Sequence, residues 1–279
     1  MSAGVRCLAI LLVVFALANQ RGGTPQDGND GLINPSTPLR SALVDESAPG
    51  YPWSLLFVDN FEVDAAEGSF LRLYGDRWTA YPKEFRDTSG NGQYNADILR
   101  VEDGVLSMRL HTDSSGVAQV AAPSPQINGD GNNPNQLYGR YEVRFRADPV
   151  AGFKTAWLLW PESERWPQDG EIDYPEGNLT AAIGAAMHYK DGKSADDKDH
   201  FTAEVTYDQW HTAVLEWGPD KVTFLLDGDV LGSSTQRIPD KPMRWVLQTE
   251  TELEGDSPHP WATGDVQVDY VKVWQHVAK

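Results

Sequence analysis

Hydrophobic positions along this chain recur as short runs or strict alternations, and show no sustained three-to-four spacing of a long amphipathic helix. Between residues 138 and 147, Tyr141, Val143 and Phe145 fall on one side, with Arg140, Glu142, Arg144 and Arg146 on the other. That is the period of two of a half-buried strand. Short apolar segments bounded by Gly, Pro, Asn and Asp lie at 53–59, 97–112, 153–161, 181–189, 210–231, 244–253 and 265–274. Glu102-Asp103-Gly104 and Gly218-Pro219-Asp220 suit tight reversals, so each closes a hairpin. No internal repeat at solenoid or propeller spacing is present. The pattern predicts an all-β fold over residues 51–279: a two-sheet antiparallel β-sandwich of jelly-roll, concanavalin-like type.

Upstream the text changes twice. Arg6 precedes an apolar run, Cys7 to Ala18, closing in Ala16-Leu17-Ala18, a small-x-small cleavage pattern. The run is well short of the roughly 20 residues that span a bilayer. Residues 1–18 therefore read as a signal peptide cleaved near Ala18, and the mature protein as secreted, extracellular and free of the membrane. Residues 19–50, rich in Gly, Asn, Asp, Pro and Ser, cannot bury enough apolar surface to offset chain entropy and read as a disordered linker. Cys7 is the sole cysteine, which excludes an internal disulfide framework. With 23 Lys+Arg against 41 Asp+Glu the net charge is −18, unfit for nucleic acid or an anionic membrane surface. Ten Trp, ten Tyr and nine Phe are many, and point to a stacking surface as well as a core.

The chemistry concentrates in Gly170-Glu171-Ile172-Asp173-Tyr174-Pro175-Glu176. In an extended strand Glu171 and Asp173 share a face, and strict alternation would put Glu176 on the other. One extra residue at a bulge returns Glu176 to the first face, and Pro175, with no N–H for the ladder, is where a bulge fits. Three carboxyls in a row then face one way, with Glu171 and Glu176 flanking Asp173. Like charges so placed push their proton affinities apart, letting one carboxyl stay protonated while another is ionised. Retaining glycoside hydrolysis needs such a pair across the scissile bond. A calcium loop would be richer in turns, and a solvated acidic edge would not interleave Ile, Tyr and Pro.

The segment resembles the Glu-x-Asp-x-x-Glu active-site strand of glycoside hydrolase family 16, in its laminarinase-like branch. YGRYEVRFRA (138–147), the Trp-Pro approach to Gly-Glu-Ile-Asp, AAMHYKDG, the Asp-Gly hairpin at 210–231 and VQVDYVKVW resemble further family motifs, so the likeness spans about 51–279. It implies Glu171 as nucleophile, Asp173 as its assisting residue and Glu176 as general acid and base. Tyr174-Pro175 replaces the more usual aliphatic and Met, a departure expected at the floor of the cleft. RWVLQTETEL lacks the Asn/Gly-rich text of a typical laminarinase.

Around the acids, Trp157, Trp160 and Trp166 are candidate platforms for the C–H faces of sugars. Trp157 and Trp160 are three apart, on opposite faces of a strand, which favours Trp160 and Trp166. His188 follows at a position the family uses near the nucleophile, and Gln248 is a candidate for a sugar hydroxyl. Trp210 and Trp217 are assigned to the core. His188 and His200 bracket an acidic segment, Asp191 to Asp199, read as solvated loop. Asp269 matches a position where some relatives hold a structural calcium; the reaction itself requires no cofactor. Asn178-Leu179-Thr180 is a glycosylation sequon beside the site, where a glycan would obstruct the cleft, so either it is unused or the source is bacterial, the latter being the preferred reading. The expected partner is a polysaccharide, cleaved by a monomer: β-1,3- or mixed-linkage β-1,3-1,4-glucan. The alternatives are a galactan-type substrate, transglycosylation, or a non-catalytic lectin-like protein.

Overall fold

The computed structural model describes residues 53–83, 85–128, 134–254 and 257–276. The expected signal peptide at 1–18 and linker at 19–50 lie outside the described residues. Strands in the first half are β1 (Trp53–Asp59), β2 (Trp78–Ala80), β3 (Gly92–Tyr94), β4 (Leu99–Glu102), β5 (Val105–Thr112), β6 (Ala118–Val120) and β7 (Pro123–Pro125). The middle of the chain forms β8 (Gly139–Ala147), β9 (Phe153–Pro161), β10 (Glu171–Asn178), β11 (Ala182–His188) and β12 (Lys198–Thr206). It closes with β13 (His211–Trp217), β14 (Val222–Leu226), β15 (Asp229–Ser234), β16 (Met243–Thr251) and β17 (Thr263–His276). The one α-helix among the described residues, α1, runs only from Phe70 to Tyr74.

A ten-stranded sheet runs in the order β15-β14-β13-β8-β17-β5-β6-β3, with β1 on the second half of β17 and β4 on β5. A five-stranded sheet, β12-β11-β10-β9-β16, faces it, and β2 pairs with β7 alone. Pairing is antiparallel except for the short β3–β6 contact. Both expected hairpins form: Glu102 pairs with Val105, and Trp217 with Val222. Asp103 and Gly104 have φ of 51° and 77°, the two positive values that a tight turn matching the strand twist demands.

Alternation decides which side chains meet between the sheets. Tyr141 and Phe145 of β8 pack edge-on against Trp245 of β16 and Trp157 of β9, with ring centroids 5.4 Å apart in each pair. Tyr174 of β10 meets Phe224 of β14 at 5.3 Å. Trp217 belongs to this core, as expected. Trp210 does not: it is partly exposed, with the Arg144 and Arg146 guanidiniums 4.7 and 5.1 Å from its ring, so it covers the alternating arginine face of β8 instead. The free edge of β16 is covered by residues 121–126, through Ala121 to Thr249 and the Ser124 hydroxyl to the Trp245 carbonyl. No helix among the described residues is long and apolar enough to cross a membrane.

Candidate active site

The face of the five-stranded sheet turned away from the core carries the chemistry. On β10 the pairing slips between Asp173 and Glu176 against both neighbours: Asp173 lies opposite Ala186 and Leu158, Glu176 opposite Gly184 and Ala156. Three steps on β10 match two on each partner, so one residue is extra, and it falls at Tyr174-Pro175, a cis peptide. This is the bulge the spacing of the acids predicted. It leaves Glu171, Asp173 and Glu176 on one face and Tyr174 on the other. Tyr174 is 3% exposed in the core, its hydroxyl donating to the Leu225 carbonyl at 2.7 Å. The departure at Tyr174 thus alters the core and not the cleft floor, contrary to expectation.

Partners in register share a face, so the floor reads out in rows. Gly184, Glu176, Ala156 and Gln248 form one row, and His200, Ala186, Asp173, Leu158 and Val246 the next. A third contains Asn178, Lys154 and Glu250. Gly184 and Ala156 beside Glu176, and Ala186 beside Asp173, keep the floor low around the acids.

Electrostatics separate the three acids. Glu171 and Asp173 are buried, whereas the Glu176 side chain is 24% exposed. Burial raises the Glu171 carboxyl well above the ordinary carboxylate range, reinforced by the Asp173 charge, a hydrogen bond with Asp173, and Glu176. The nearby Trp166 N–H opposes that rise. His188, opposite Glu171 on β11, brings Nε2 to 3.3 Å from Asp173 Oδ2, while its buried Nδ1 has no partner. Gly170 lets the chain enter β10 this close: its φ is 78°, and a Cβ there would stand 2.7 Å from the His188 carbonyl oxygen.

Trp160 and Trp166 stack nearly parallel, 16° apart with centroids at 6.4 Å, and Trp166 tilts over the His188 ring at 5.9 Å. Glu164 fixes this end, accepting from the Trp160 indole at 2.6 Å and from the Arg244 guanidinium at 2.6 Å. Trp157 is withdrawn from the site: it is fully buried between the sheets, the opposite-face outcome that its spacing from Trp160 entailed. Gln248 is on the floor in the row of Glu176. Asp269 lies elsewhere, on β17, where Arg144 donates to its carboxylate at 2.5 Å. A guanidinium in that position does not fit a calcium site, and no step below involves a metal.

Sequence reasoning missed Lys154. Its ammonium, on a side chain only 8% exposed, reaches Glu176 Oε1 at 2.9 Å. Burial works against its charge, but Glu176 and then Glu250 outweigh it and hold the amine above its ordinary value. The available signal was one cation in an apolar strand, at even spacing from Trp160. Glu250 was also missed. It is 2% exposed and accepts from the Thr88 amide and hydroxyl and from the Tyr94 hydroxyl, which ties the 85–94 segment over β16.

Comparison with known proteins accords with this geometry. The curated "Glucan endo-1,3-beta-glucosidase" of Cryptopygus antarcticus is 31% identical, the match covering 52% of this chain and 70% of the relative. "Crh-like protein 3" of Botryotinia fuckeliana is 28% identical over 56% of this chain, which spans only 32% of that relative. The catalytic domain of an endo-1,3-beta-glucanase (laminarinase) from Thermotoga petrophila superposes with a TM-score of 0.65, covering 82% of this chain and all of that one. At 19% identity this is a likeness of fold. The model of Glycosyl hydrolases family 16 matches residues 89–272, well over half of the sequence, and the chain therefore belongs to that family.

Proposed function

We propose that the protein is a secreted, retaining endo-β-glycanase acting on β-1,3- or mixed-linkage β-1,3-1,4-glucan. One observation carries the mechanism: the bulge at Tyr174-Pro175 aligns Glu171, Asp173 and Glu176 on one face of β10 above a floor of Gly and Ala. In the first step the Glu176 proton passes to the glycosidic oxygen as the bond to the anomeric carbon breaks. Glu171 attacks that carbon and forms a glycosyl-enzyme. In the second step ionised Glu176 takes a proton from water, which displaces Glu171 with a second inversion. Attack requires ionised Glu171, and Asp173, beside it on the same buried face, orients the attacking carboxylate. His188 orients Asp173. The Trp160–Trp166 stack presents apolar surface to a sugar ring, and Gln248 offers a polar contact in the row of Glu176. The apolar segment at 1–18 supports export, and the relatives named as 1,3-glucanases support the linkage.

Reducing-sugar release from laminarin, lichenan, curdlan, xyloglucan, agarose and carrageenan, measured beside Glu171→Gln, tests the proposal. Release from laminarin or lichenan with retained anomeric configuration, abolished in the variant, is expected. Release from agarose or carrageenan instead would transfer the mechanism to a galactan. Binding without release would favour a lectin-like role. Inverted product would overturn the assignment of Glu171 and Glu176.

A further inference from the structure

Glu176 must serve twice, protonated when the glycosidic bond breaks and ionised when water enters. Its surroundings are lopsided. On its own strand stand Asp173 and Glu171. From β11 it meets Gly184, which has no charge, and from β12 His200 stands near that glycine, its Nε2 3.4 Å from where a Cβ would be. Tyr207, whose hydroxyl bonds Thr155 at 2.9 Å, lies behind the strand near Gly177. From β9 comes Lys154, hydrogen-bonded to Oε1 at 2.9 Å. Glu250 of β16, in register with Lys154, is the second carboxylate acting on that ammonium. Lys154 is thus a buried cation divided between two acids, one structural and one placed in the reaction.

On this geometry, and resting on the acid/base reading of Glu176 above, we propose that Lys154 is the positioning residue of the acid/base. It occupies Oε1, so that the transferable proton resides on Oε2, and it sets the pH above which the first step loses that proton. A cation at hydrogen-bond distance from a carboxyl favours the ionised form. Removing it strengthens the hold of Glu176 on its proton. The bond-breaking step then persists to higher pH, and the step needing ionised Glu176 slows. Glu250 tempers the effect by competing for the same ammonium.

The test compares wild type, Lys154→Met and Lys154→Arg. On laminarin, the alkaline limb of kcat/KM against pH is expected to move up by about one to two pH units in Lys154→Met. It should return to within a few tenths of a unit in Lys154→Arg, which restores the charge. A limb that stays put in Lys154→Met, or moves equally in both variants, overturns the proposal. A second measurement needs neither turnover nor a change at Lys154: titration of the Lys154 amine by nitrogen-resolved NMR in wild type and Glu176→Gln. Coupling between two sites is reciprocal, so the amine is expected to titrate at lower pH in the variant. An unchanged amine also overturns the inference. If wild type does not hydrolyse laminarin, the substrate assignment fails and the amine titration alone decides the role of Lys154. If Glu176→Ala keeps full turnover, the acid/base reading itself falls.

Discussion

Glu171 and Asp173 stand two residues apart on the same face of β10, both buried, so folding brings two acids together out of water. Desolvation first, then the neighbouring charge, raises the Glu171 carboxyl well above its ordinary 4.5. As pH climbs past that ordinary value the unfolded chain releases the proton while the folded chain keeps it. Stability therefore falls with rising pH across the window from about 4.5 up to the raised value. Glu171→Gln removes this loss. Its Tm at pH 7 is expected to exceed wild type by roughly 2–6 °C, with a flatter profile between pH 5 and 7. Glu250, raised chiefly by burial, acts in the same direction and leaves some slope. Parallel Tm profiles for the two proteins would show that Glu171 ionises in the fold as freely as in the unfolded chain.

On the proposed mechanism, Glu176→Ala separates the general acid from the nucleophile. With a poor leaving group its turnover is expected to fall by about 10²–10⁴. Added azide should restore rate and yield a β-glycosyl azide, because the anion needs no general base. An α-azide would mean direct displacement, with the nucleophile misassigned.

Trp160 and Trp157 make a matched pair of controls, three residues apart on opposite faces of β9. Trp160→Ala is expected to raise KM roughly 3–10-fold with little change in Tm, through loss of a stacking surface. Trp157→Ala empties a fully buried site beside Phe145 and should cost about 3–5 kcal/mol of stability. Chemical denaturation and steady-state kinetics on both variants would expose a reversed assignment.

Gly184 lies opposite Glu176, and a Cβ there would meet the Glu176 carbonyl oxygen at 2.9 Å. Gly184→Ala must push β10 and β11 apart beside the acid. We expect kcat/KM to drop at least about 10-fold while most of the protein remains folded at 25 °C. Unchanged kinetics would show that the local spacing of Glu176 is not critical.

Much of this site is legible in residue order because β-structure has a fixed period. The bulge could be placed at Pro175 from the parity of three acids alone, and the burial of Trp157 was implied by its offset from Trp160. Parity says nothing about which strands become neighbours. Lys154 and Glu250 lie 96 residues apart in sequence and meet only because β16 docks beside β9. For the same reason Arg144, next to Asp269 across β8 and β17, was not foreseen as the group that engages its carboxylate. The segment Lys198–Thr206, whose first residues were read as solvated loop, is strand β12. Its charged text follows from sitting at the rim, where none of its residues is buried.

That rim has a consequence for crowded surroundings. β12 ends its sheet with backbone donors and acceptors open to any passing extended chain. Lys198, Asp199 and Glu204 line this border with charge of both signs, so an incoming strand would have to strip water from ionic groups to zip onto it. Such a charged border disfavours edge-to-edge pairing without a covering helix, and leaves the adjoining floor uncovered on that side.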